Sequence, residues 1–278
     1  MIYIDPAEIE DRVPNGILQK LQETCDYLNG LNDEETKKYV SNSDNCFWTS
    51  TRDYLKGLSN GKCWYTESMN PGFDLHVDHF RPKGEVKESR NGPRLYWYWF
   101  LAYSVDNFRL SCQYSNRVTV DWEMQEEGEG GGKGSHFPLM ADCTHATKIE
   151  ELDDEEPAII DPCRDGDPQL LVFLPDGRAV AAPNLDAQSL ERVEISTHLL
   201  NLNFPTFNED RERLYNDIME WVEAADAAKH IPIAFNKIKR HLEEATSLEA
   251  PYSSAARCFL RFFRDREWVE DIVQAWDN

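Results

Sequence analysis

The sequence predicts an α+β fold, with helical segments at both ends of the chain and short strand-like segments between them. Near the start, the segment ILQKLQETCDYL places Leu21, Cys25 and Leu28 on one helical face. The middle of the chain has short apolar runs bounded by glycine and proline, a pattern typical of strands. From about Asp186 onward the apolar residues again recur with a helical period.

Composition shifts divide the chain into three segments. Residues 1–60 form an N-terminal helical layer, and the turn signal LSNGKCWYTE then opens a core segment over residues 61–145. Within this core, residues 123–135 are rich in glycine and glutamate, which predicts a flexible, solvated insert with no packing of its own. The acidic run EELDDEE marks a boundary, and residues 146–278 contain short strands followed by a C-terminal helical region.

The third segment begins with two strand predictions. AIIDPC and LLVFLPDGRAV are short apolar runs, and the second contains a Pro-Asp-Gly turn. Further on, RERLYNDIMEWVEAA has an apolar stripe that includes Ile218 and Val222 and therefore predicts a packed helix. On this helix we expect Arg211 and Arg213 to lie on the solvated face.

Composition excludes several classes of protein. With 41% hydrophobic and 12% aromatic residues, the chain of 278 residues is not disordered. It contains no run of about 20 apolar residues of the kind that spans a membrane, and its first residues do not resemble a signal peptide. The seven scattered cysteines do not form a secreted disulfide framework. We therefore expect a cytoplasmic protein with reduced thiols and no membrane partner.

The charge is unevenly distributed along the chain. A net charge of -22 argues against general attraction to nucleic acid, because binding to phosphates depends on lysine and arginine. From His76 to Arg117, however, seven cations and four anions leave a local balance of +3, and the rest of the chain carries -25. This distribution is compatible with a focused phosphate site on an acidic protein.

The segment LHVDHFRPKG carries the most chemistry in the sequence. Asp78 and His79 end an apolar, strand-like run, and Arg81 and Lys83 flank a proline directly after it. Pro82 removes a backbone donor and favours an extended conformation at the preceding residue, so the strand is expected to end here. An acid and a histidine would then lie beside a cationic turn.

Several motifs together resemble a known family of nucleases. The strings CWYTE, LHVDHFRPKG, YWYWFLAYSVDNFRLSCQYSNR, KGSHFPL, EEPAIIDPC and DRERLY, from about Cys63 to Tyr215, resemble the HNH nucleases that accompany ATPases in Septu and some retron anti-phage systems. The resemblance implies a ββα-metal (HNH) nuclease core with an N-terminal helical layer and a C-terminal helical region. It also implies metal-dependent cleavage of DNA and an ATPase partner.

The resemblance assigns roles to individual residues. Asp78 and Asn116 would be metal ligands, His79 the general base, and Asn107 would hold the motif loop through its amide. Carboxylate and amide oxygens suit Mg²⁺ or Mn²⁺ better than zinc. With an ordinary pKa near 6.5, a histidine can remove a proton from water at neutral pH. Three cations would lie on the phosphates: Arg81, Lys83 and Arg117.

Each assignment has an alternative. Asp78 could cap a turn or pair with Arg81, and His79 could be a structural histidine. His76 is expected to pack near Asp78 without binding metal. The aromatic run Tyr96 to Tyr103 is expected to lie in the core, although stacking on bases is an alternative. For the whole protein, the alternatives are a non-catalytic adaptor or nucleic-acid-binding module that retains the HNH fold, or a nuclease acting on RNA.

One departure from the family concerns zinc. Relatives commonly carry two Cys-x-x-Cys pairs that bind a structural zinc. Here the second position of each pair is a hydroxyl residue, giving Cys63 with Thr66 and Cys112 with Ser115. Neutral hydroxyls are poor zinc ligands, so we expect no structural zinc. A rebuilt site would instead recruit one of three other residues: His136, Cys143 or His145.

Overall fold

The chain combines helical ends with two small sheets. The computed structural model describes residues 1–69, 74–87, 98–117, 131–141 and 143–276. Within them, α-helices occupy both ends of the chain and two antiparallel strand pairs lie between them. The α+β prediction is confirmed at this level. None of the helices in the described ranges is long and apolar enough to cross a membrane.

The regular elements follow one another in chain order. The α-helices are α1 Pro6–Arg12, α2 Asn15–Asn29, α3 Asp33–Ser41, α4 Arg52–Leu58, α5 Gln113–Asn116, α6 Ala187–Leu199, α7 Pro205–Ala228, α8 Pro232–Ala245, α9 Ser253–Arg261 and α10 Glu267–Gln274. The strands are β1 His76–His79, β2 Phe108–Ser111, β3 Leu171–Phe173 and β4 Ala179–Ala181. Short 3₁₀ helices span Ser43–Asn45, Phe47–Thr51, Trp99–Leu101, Val105–Asn107, Ile149–Asp154 and Pro168–Leu170.

The N-terminal helices begin at residues that satisfy their free backbone donors. The Asp5 side chain accepts a hydrogen bond from the backbone N–H of Ala7 at the start of α1. At the start of α3, Asn32 and Glu35 form a reciprocal capping box. Leu21 and Leu28 of α2 are buried in the hydrophobic core. Helices α2 and α3 contact the 3₁₀ helix Trp99–Leu101, and α4 contacts β2.

The hairpin of β1 and β2 carries the Asp-His motif. The strands are antiparallel, with Val77 opposite Leu110, Asp78 opposite Arg109 and His79 opposite Phe108. The N–H of Trp64 donates to the carbonyl of Leu110 at 2.9 Å, so the turn before β1 also bonds to β2. Helix α5 starts two residues after β2 ends and packs against β1. The described residues thus contain a strand, a strand and a short helix in the order that the resemblance implies.

Of the two later strand predictions, one is confirmed and one is wrong. LLVFLPDGRAV forms β3 and β4, joined by a turn in which Gly177 has a φ of 79°. AIIDPC forms no strand. The N–H of Ile160 donates instead to Ser196 Oγ, and the N–H of Asp161 donates to Asp167 Oδ2. Side chains satisfy these backbone groups, so the apolar run is buried without a neighbouring strand.

The prediction for Arg211 on α7 is also wrong. Its side chain is buried, whereas that of Arg213 is 71% exposed as expected. The Arg211 guanidinium donates to the carbonyls of Phe207 at 2.9 Å and Leu202 at 2.5 Å. It also lies over the ring of Phe173. Phe207 lies in the first turn of α7 and Leu202 in the loop before it, so the buried guanidinium joins the loop to the helix.

Two buried charges connect the core to the C-terminal helices. The Lys62 ammonium donates to the carbonyls of Leu248 and Ala250. The Glu67 carboxylate accepts from Ser253 Oγ at 2.8 Å and from the Met1 amino group at 2.8 Å. Burial alone would raise the pKa of Glu67, but the Met1 ammonium and the hydrogen bonds from Ser254 together lower the pKa to about 2. These contacts anchor the turn before β1 to the start of α9.

A bidentate ion pair supports β2 on its other side. Arg109 donates from Nε and Nη2 to the two carboxylate oxygens of Asp161 at 2.6 and 2.8 Å, and both groups are buried. Burial acts to lower the pKa of Arg109, but Asp161 raises it above its ordinary value. Arg109 also donates to the carbonyls of Asp106 and Phe108. The guanidinium therefore joins β2 to the segment that follows the acidic run.

We predict that Arg109→Ala lowers the free energy of unfolding by about 3–5 kcal/mol, because it leaves the Asp161 carboxylate buried without its partner. Urea denaturation measures the change. Arg178→Ala is the matched control, since the Arg178–Asp176 pair has a similar distance of 2.7 Å but is about half exposed. It should cost less than about 1 kcal/mol. Equal losses for the two variants would show that the burial of Arg109 has no energetic consequence.

Candidate active site

Asn107 makes the contacts that a loop-holding residue needs. Its Oδ1 accepts from the N–H of Arg81 at 2.8 Å, and its Nδ2 donates to the carbonyl of Arg81 at 2.9 Å. A third bond runs from Nδ2 to the carbonyl of Leu101 at 3.3 Å. The amide thus fixes the turn directly after the Asp-His pair. Its part in catalysis stays a prediction.

His79 is a buried imidazole with a defined hydrogen bond. Its Nε2 lies 2.9 Å from the carbonyl oxygen of Ala102, which can only accept, so Nε2 carries a proton. The ring packs edge-on against Trp48 and Phe108. Burial lowers the pKa of His79 to about 3; the Ala102 bond opposes this shift, and Lys83 and Lys133 add to it. The ordinary pKa assumed from the sequence therefore does not apply, and the ring is neutral at pH 7.

Asp78 is a buried carboxylate with a partner on each oxygen. Its side chain is 5% exposed. Tyr65 donates its hydroxyl to Oδ2 at 2.9 Å, and the ammonium of Lys133 lies 2.9 Å from Oδ1. Asp78 is therefore paired as one alternative anticipated, but with Lys133 and not with Arg81. The neighbours of Asp78 differ from the aromatic neighbours of His79, as expected for successive residues of a strand.

Lys133 is the site residue that sequence reasoning missed. Its side chain is 1% exposed, and its ammonium also donates to the carbonyl of His79 at 2.5 Å. Its backbone N–H donates to the carbonyl of Ser115 in α5 at 2.8 Å. The only signal for it in the sequence was its place in KGSHFPL, one of the strings that carry the family resemblance.

The insert prediction needs correction where the structure describes it. Residues 131–135 were expected to be mobile and unpacked, yet Lys133 is fully buried. The N–H of Gly134 donates to the carbonyl of Asn116 at 2.8 Å. These residues are held by α5 and by Asp78, because a buried carboxylate supplies a partner that glycine-rich composition does not reveal. The rest of the insert, residues 123–130, lies outside the described residues.

Asn116 lies at the C-terminal end of α5, next to Lys133. Its side chain is half-buried, and its carbonyl accepts from Gly134. Helix α5 packs against β1, and the backbone at Lys133 and Gly134 bonds to the carbonyls of Ser115 and Asn116. His76 lies opposite Ser111 at the start of β1 and is half-buried. Burial lowers the pKa of His76, and Arg117 and Arg52 act in the same direction.

The three predicted phosphate-binding cations have different surroundings. Arg81 donates from Nε to Glu155 Oε2 at 2.7 Å, and Glu155 also accepts from Tyr98. Lys83 lies over the Trp48 ring at 4.8 Å, and burial lowers its pKa. Arg117 is exposed. Arg81 would therefore have to leave Glu155, or share it, to bind phosphate.

The aromatic run packs in the core where it is described. Tyr98 is 0% and Tyr103 is 2% exposed, so neither ring is available to stack on a base. Tyr103 donates its hydroxyl to the carbonyl of Asn45. Tyr96 and Trp97 lie outside the described residues.

The four residues at the positions of the family's Cys-x-x-Cys pairs lie together. The N–H of Cys112 donates to Cys63 Sγ at 3.3 Å, and Cys112 Sγ lies 3.5 Å from Ser115 Oγ. Thr66 Oγ1 lies 4.0 Å from Cys112 Sγ and 2.8 Å from the Ser68 hydroxyl. Burial raises the pKa of the Cys63 thiol. The absence of structural zinc stays a prediction, based on the two neutral hydroxyls.

The alternative zinc ligands have contacts of their own. His136 Nδ1 lies 3.0 Å from the carbonyl of Lys133, and His145 Nδ1 lies 2.5 Å from the Tyr98 hydroxyl. In the described ranges, no cluster of three or more histidine, cysteine or acidic side chains could hold a metal ion.

The two predicted metal ligands are of the chemical type that suits a hard divalent cation. Asp78 offers carboxylate oxygens and Asn116 offers an amide oxygen, the ligand types that Mg²⁺ and Mn²⁺ prefer. However, Lys133 already places a positive charge on Asp78 Oδ1. A metal ion at Asp78 would therefore have to share that oxygen with an ammonium group or displace it.

Comparison with known proteins gives a partial match. No protein-family model matches the chain. The chain is similar to a Septu protein. Over 130 residues it is 32% identical to the Septu protein PtuB of Bacillus mycoides (strain KBAB4). The matched segment makes up 46% of this chain and spans only 40% of the length of PtuB.

We predict that Asp78→Ala lowers the free energy of unfolding by about 3–5 kcal/mol, because it leaves the Lys133 ammonium buried and unpaired. Adding Lys133→Met should restore at least about 1 kcal/mol, since the unpaired charge is then removed. Urea denaturation of the two single variants and the double variant measures this coupling. Strictly additive losses would contradict an energetic interaction between the two charges.

Proposed function

We propose that the chain is a Septu-type anti-phage defence protein that acts as a metal-dependent HNH endonuclease on DNA. The similarity to PtuB supports the defence role. The order β1, β2, α5, with Asp78 and His79 at the end of β1, Asn107 before β2 and Asn116 in α5, supports the nuclease. The same arrangement was implied by the resemblance of the sequence motifs to HNH nucleases.

The tautomer of His79 is the observation that carries the proposal. Because Nε2 donates to the Ala102 carbonyl, the neutral ring has its lone pair on Nδ1. Nδ1 can accept a proton from a water molecule, as a general base requires. Burial makes the imidazole a weak base in the resting protein. A phosphodiester bound nearby would raise the pKa of His79, since an anion stabilises the imidazolium.

The other motif residues would position the reacting groups. Asp78 and Asn116 would hold Mg²⁺ or Mn²⁺, which supplies charge stabilisation at the scissile phosphate and the leaving oxygen. Asn107 would keep the Arg81 turn, and with it the end of β1, in a fixed conformation. Lys83 and Arg117 would contact phosphates. Phosphodiester hydrolysis is among the slowest uncatalysed reactions, so a general base alone, worth about 10²–10⁴-fold, would not suffice.

Charge supports a dependence on a partner. The chain has a net charge of -22, and its motif region, residues 76–117, carries a local excess of only +3. Arg81 is already paired with Glu155, which reduces that excess further. The isolated chain should therefore bind duplex DNA weakly at physiological salt. A partner, by resemblance an ATPase, would supply the DNA-binding surface.

A second candidate is a non-catalytic adaptor that retains the nuclease fold. The specific observation in its favour is that both carboxylate oxygens of Asp78 are already bonded within the protein. His79 is also only 7% exposed. Such a site would serve stability alone, and the protein would act by binding a partner.

We predict that the protein nicks supercoiled plasmid with Mg²⁺ or Mn²⁺, and that His79→Ala slows cleavage by about 10²–10⁴-fold. The assay uses the chain alone and the chain co-purified with any ATPase that a neighbouring gene encodes. His230→Ala is the control, because that histidine is exposed in the turn after α7 and far from the motif in sequence. It should leave the rate unchanged.

Other outcomes separate the candidates. Cleavage of RNA but not DNA would identify a ribonuclease. In the presence of the partner, plasmid cleavage that does not depend on metal and is equally slow for His79→Ala and His230→Ala would favour the adaptor. Tight duplex binding by the isolated chain at about 150 mM salt would contradict delivery by a partner.

A further inference from the structure

The position of Lys133 raises a question about how a metal ion reaches Asp78. The ammonium lies 2.9 Å from Asp78 Oδ1 and 2.5 Å from the carbonyl oxygen of His79, and its side chain is 1% exposed. Tyr65 occupies the other carboxylate oxygen. The buried charge of Asp78 is therefore neutralised within the protein, without a metal ion.

This arrangement is built into the fold around α5. The N–H of Lys133 donates to the carbonyl of Ser115, and the next N–H donates to the carbonyl of Asn116. The backbone at Lys133 is thus attached to the helix that carries the second proposed metal ligand. The aliphatic part of the side chain brings the ammonium to the one carboxylate that the metal would also use.

We infer that Lys133 is an internal counter-cation that competes with the divalent metal ion for Asp78, so that metal binding displaces its ammonium group. The inference rests on the proposed role of Asp78 as a metal ligand. Two cations on one buried carboxylate repel each other strongly, because the surrounding dielectric is low. A displaced ammonium also needs a new anionic partner, since a buried unpaired charge is costly.

A phosphate group of the substrate is the anion that fits this need. If the phosphodiester binds beside the Asp78 centre, it gives the displaced ammonium a partner at the moment the metal enters. Metal and substrate then bind cooperatively, because each lowers the cost of binding the other. Without nucleic acid, Lys133 keeps metal occupancy low and the centre inactive.

The direct test is Mn²⁺ binding to the full chain, measured by electron paramagnetic resonance and calorimetry without nucleic acid. Lys133→Met should bind Mn²⁺ roughly 10–100-fold more tightly than the wild type, a range typical of changes to groups that contact a metal ligand. Lys133→Arg keeps the charge and should bind weakly. Lys148→Met removes an exposed lysine and should leave the affinity unchanged. Tyr65→Phe frees the other carboxylate oxygen without removing a charge, so its effect should be small.

Thermal unfolding keeps the test decisive if Lys133→Met is unstable. This variant should melt below the wild type without metal, and Mn²⁺ should raise its melting temperature by more than it raises that of the wild type. The double variant Asp78→Asn/Lys133→Met has no buried charge at this position and should fold without a response to Mn²⁺.

Three results would overturn the inference. One is a folded Lys133→Met that binds Mn²⁺ no more tightly than the wild type. Another is a Lys133→Met that stays unfolded at millimolar Mn²⁺, since the metal should supply the missing positive charge. The third is tight binding by the double variant, which would place the metal away from Asp78. Failure of the nuclease proposal can be distinguished from failure of this inference, because Mn²⁺ affinity is measured without any cleavage. If Lys133→Met binds Mn²⁺ tightly but the protein does not nick plasmid, the nuclease proposal is wrong, whereas the competition between Lys133 and the metal ion is supported.

Discussion

A buried ion pair between Asp78 and Lys133 determines how the motif region is assembled. It connects the end of β1 to residues that follow α5, two segments separated by more than 50 positions in the chain. A buried carboxylate without a counter-charge would be costly, so the backbone around Lys133 has to remain near β1. Asn107 fixes the next turn in the same region through both ends of its amide. Polar bonds therefore act together with the two short strands to hold the candidate site.

Buried arginines form ion pairs that likewise hold the segments with little regular structure. Arg192 pairs with Asp167, and Arg109 pairs with Asp161, each at 2.6 Å in its shortest contact. Both carboxylates lie in the loop region between the acidic run and β3, where strands and helices satisfy few backbone groups. Asp161 and Asp167 accept backbone N–H groups as well. In this region, ion pairs with several hydrogen bonds thus take the place of the backbone hydrogen bonds that strands and helices form elsewhere.

If the chain is the nuclease proposed above, its electrostatics favour a resting state with little activity of its own. Much of the positive charge near the motif is already paired, through Arg81 with Glu155 and Lys133 with Asp78. His79 is neutral and enclosed by aromatic rings. A substrate phosphate would offer Arg81 and Lys133 a new anionic partner. It would also stabilise the protonated imidazole of His79. A nuclease with this resting state would depend on delivered substrate for its activity.

The sequence by itself determined that both ends of the chain are helical, that a turn follows β3 and that an Asp-His motif ends a strand. These features follow from periodicity and from residues that are neighbours in the chain. Asp78, His79 and Asn107 could be selected as candidate site residues from this local motif and from the resemblance of the segments around them to HNH nucleases. Only the tertiary structure decided that Lys133 pairs with Asp78, that Arg211 is buried and that AIIDPC forms no strand. Each of these outcomes depends on a bonding partner that the local pattern does not name: Asp78 for Lys133, the Leu202 carbonyl for Arg211 and Ser196 Oγ for the N–H of Ile160. A local sequence pattern shows the chemistry of a side chain. The partner and the burial of that side chain are set by the folding of distant segments against each other.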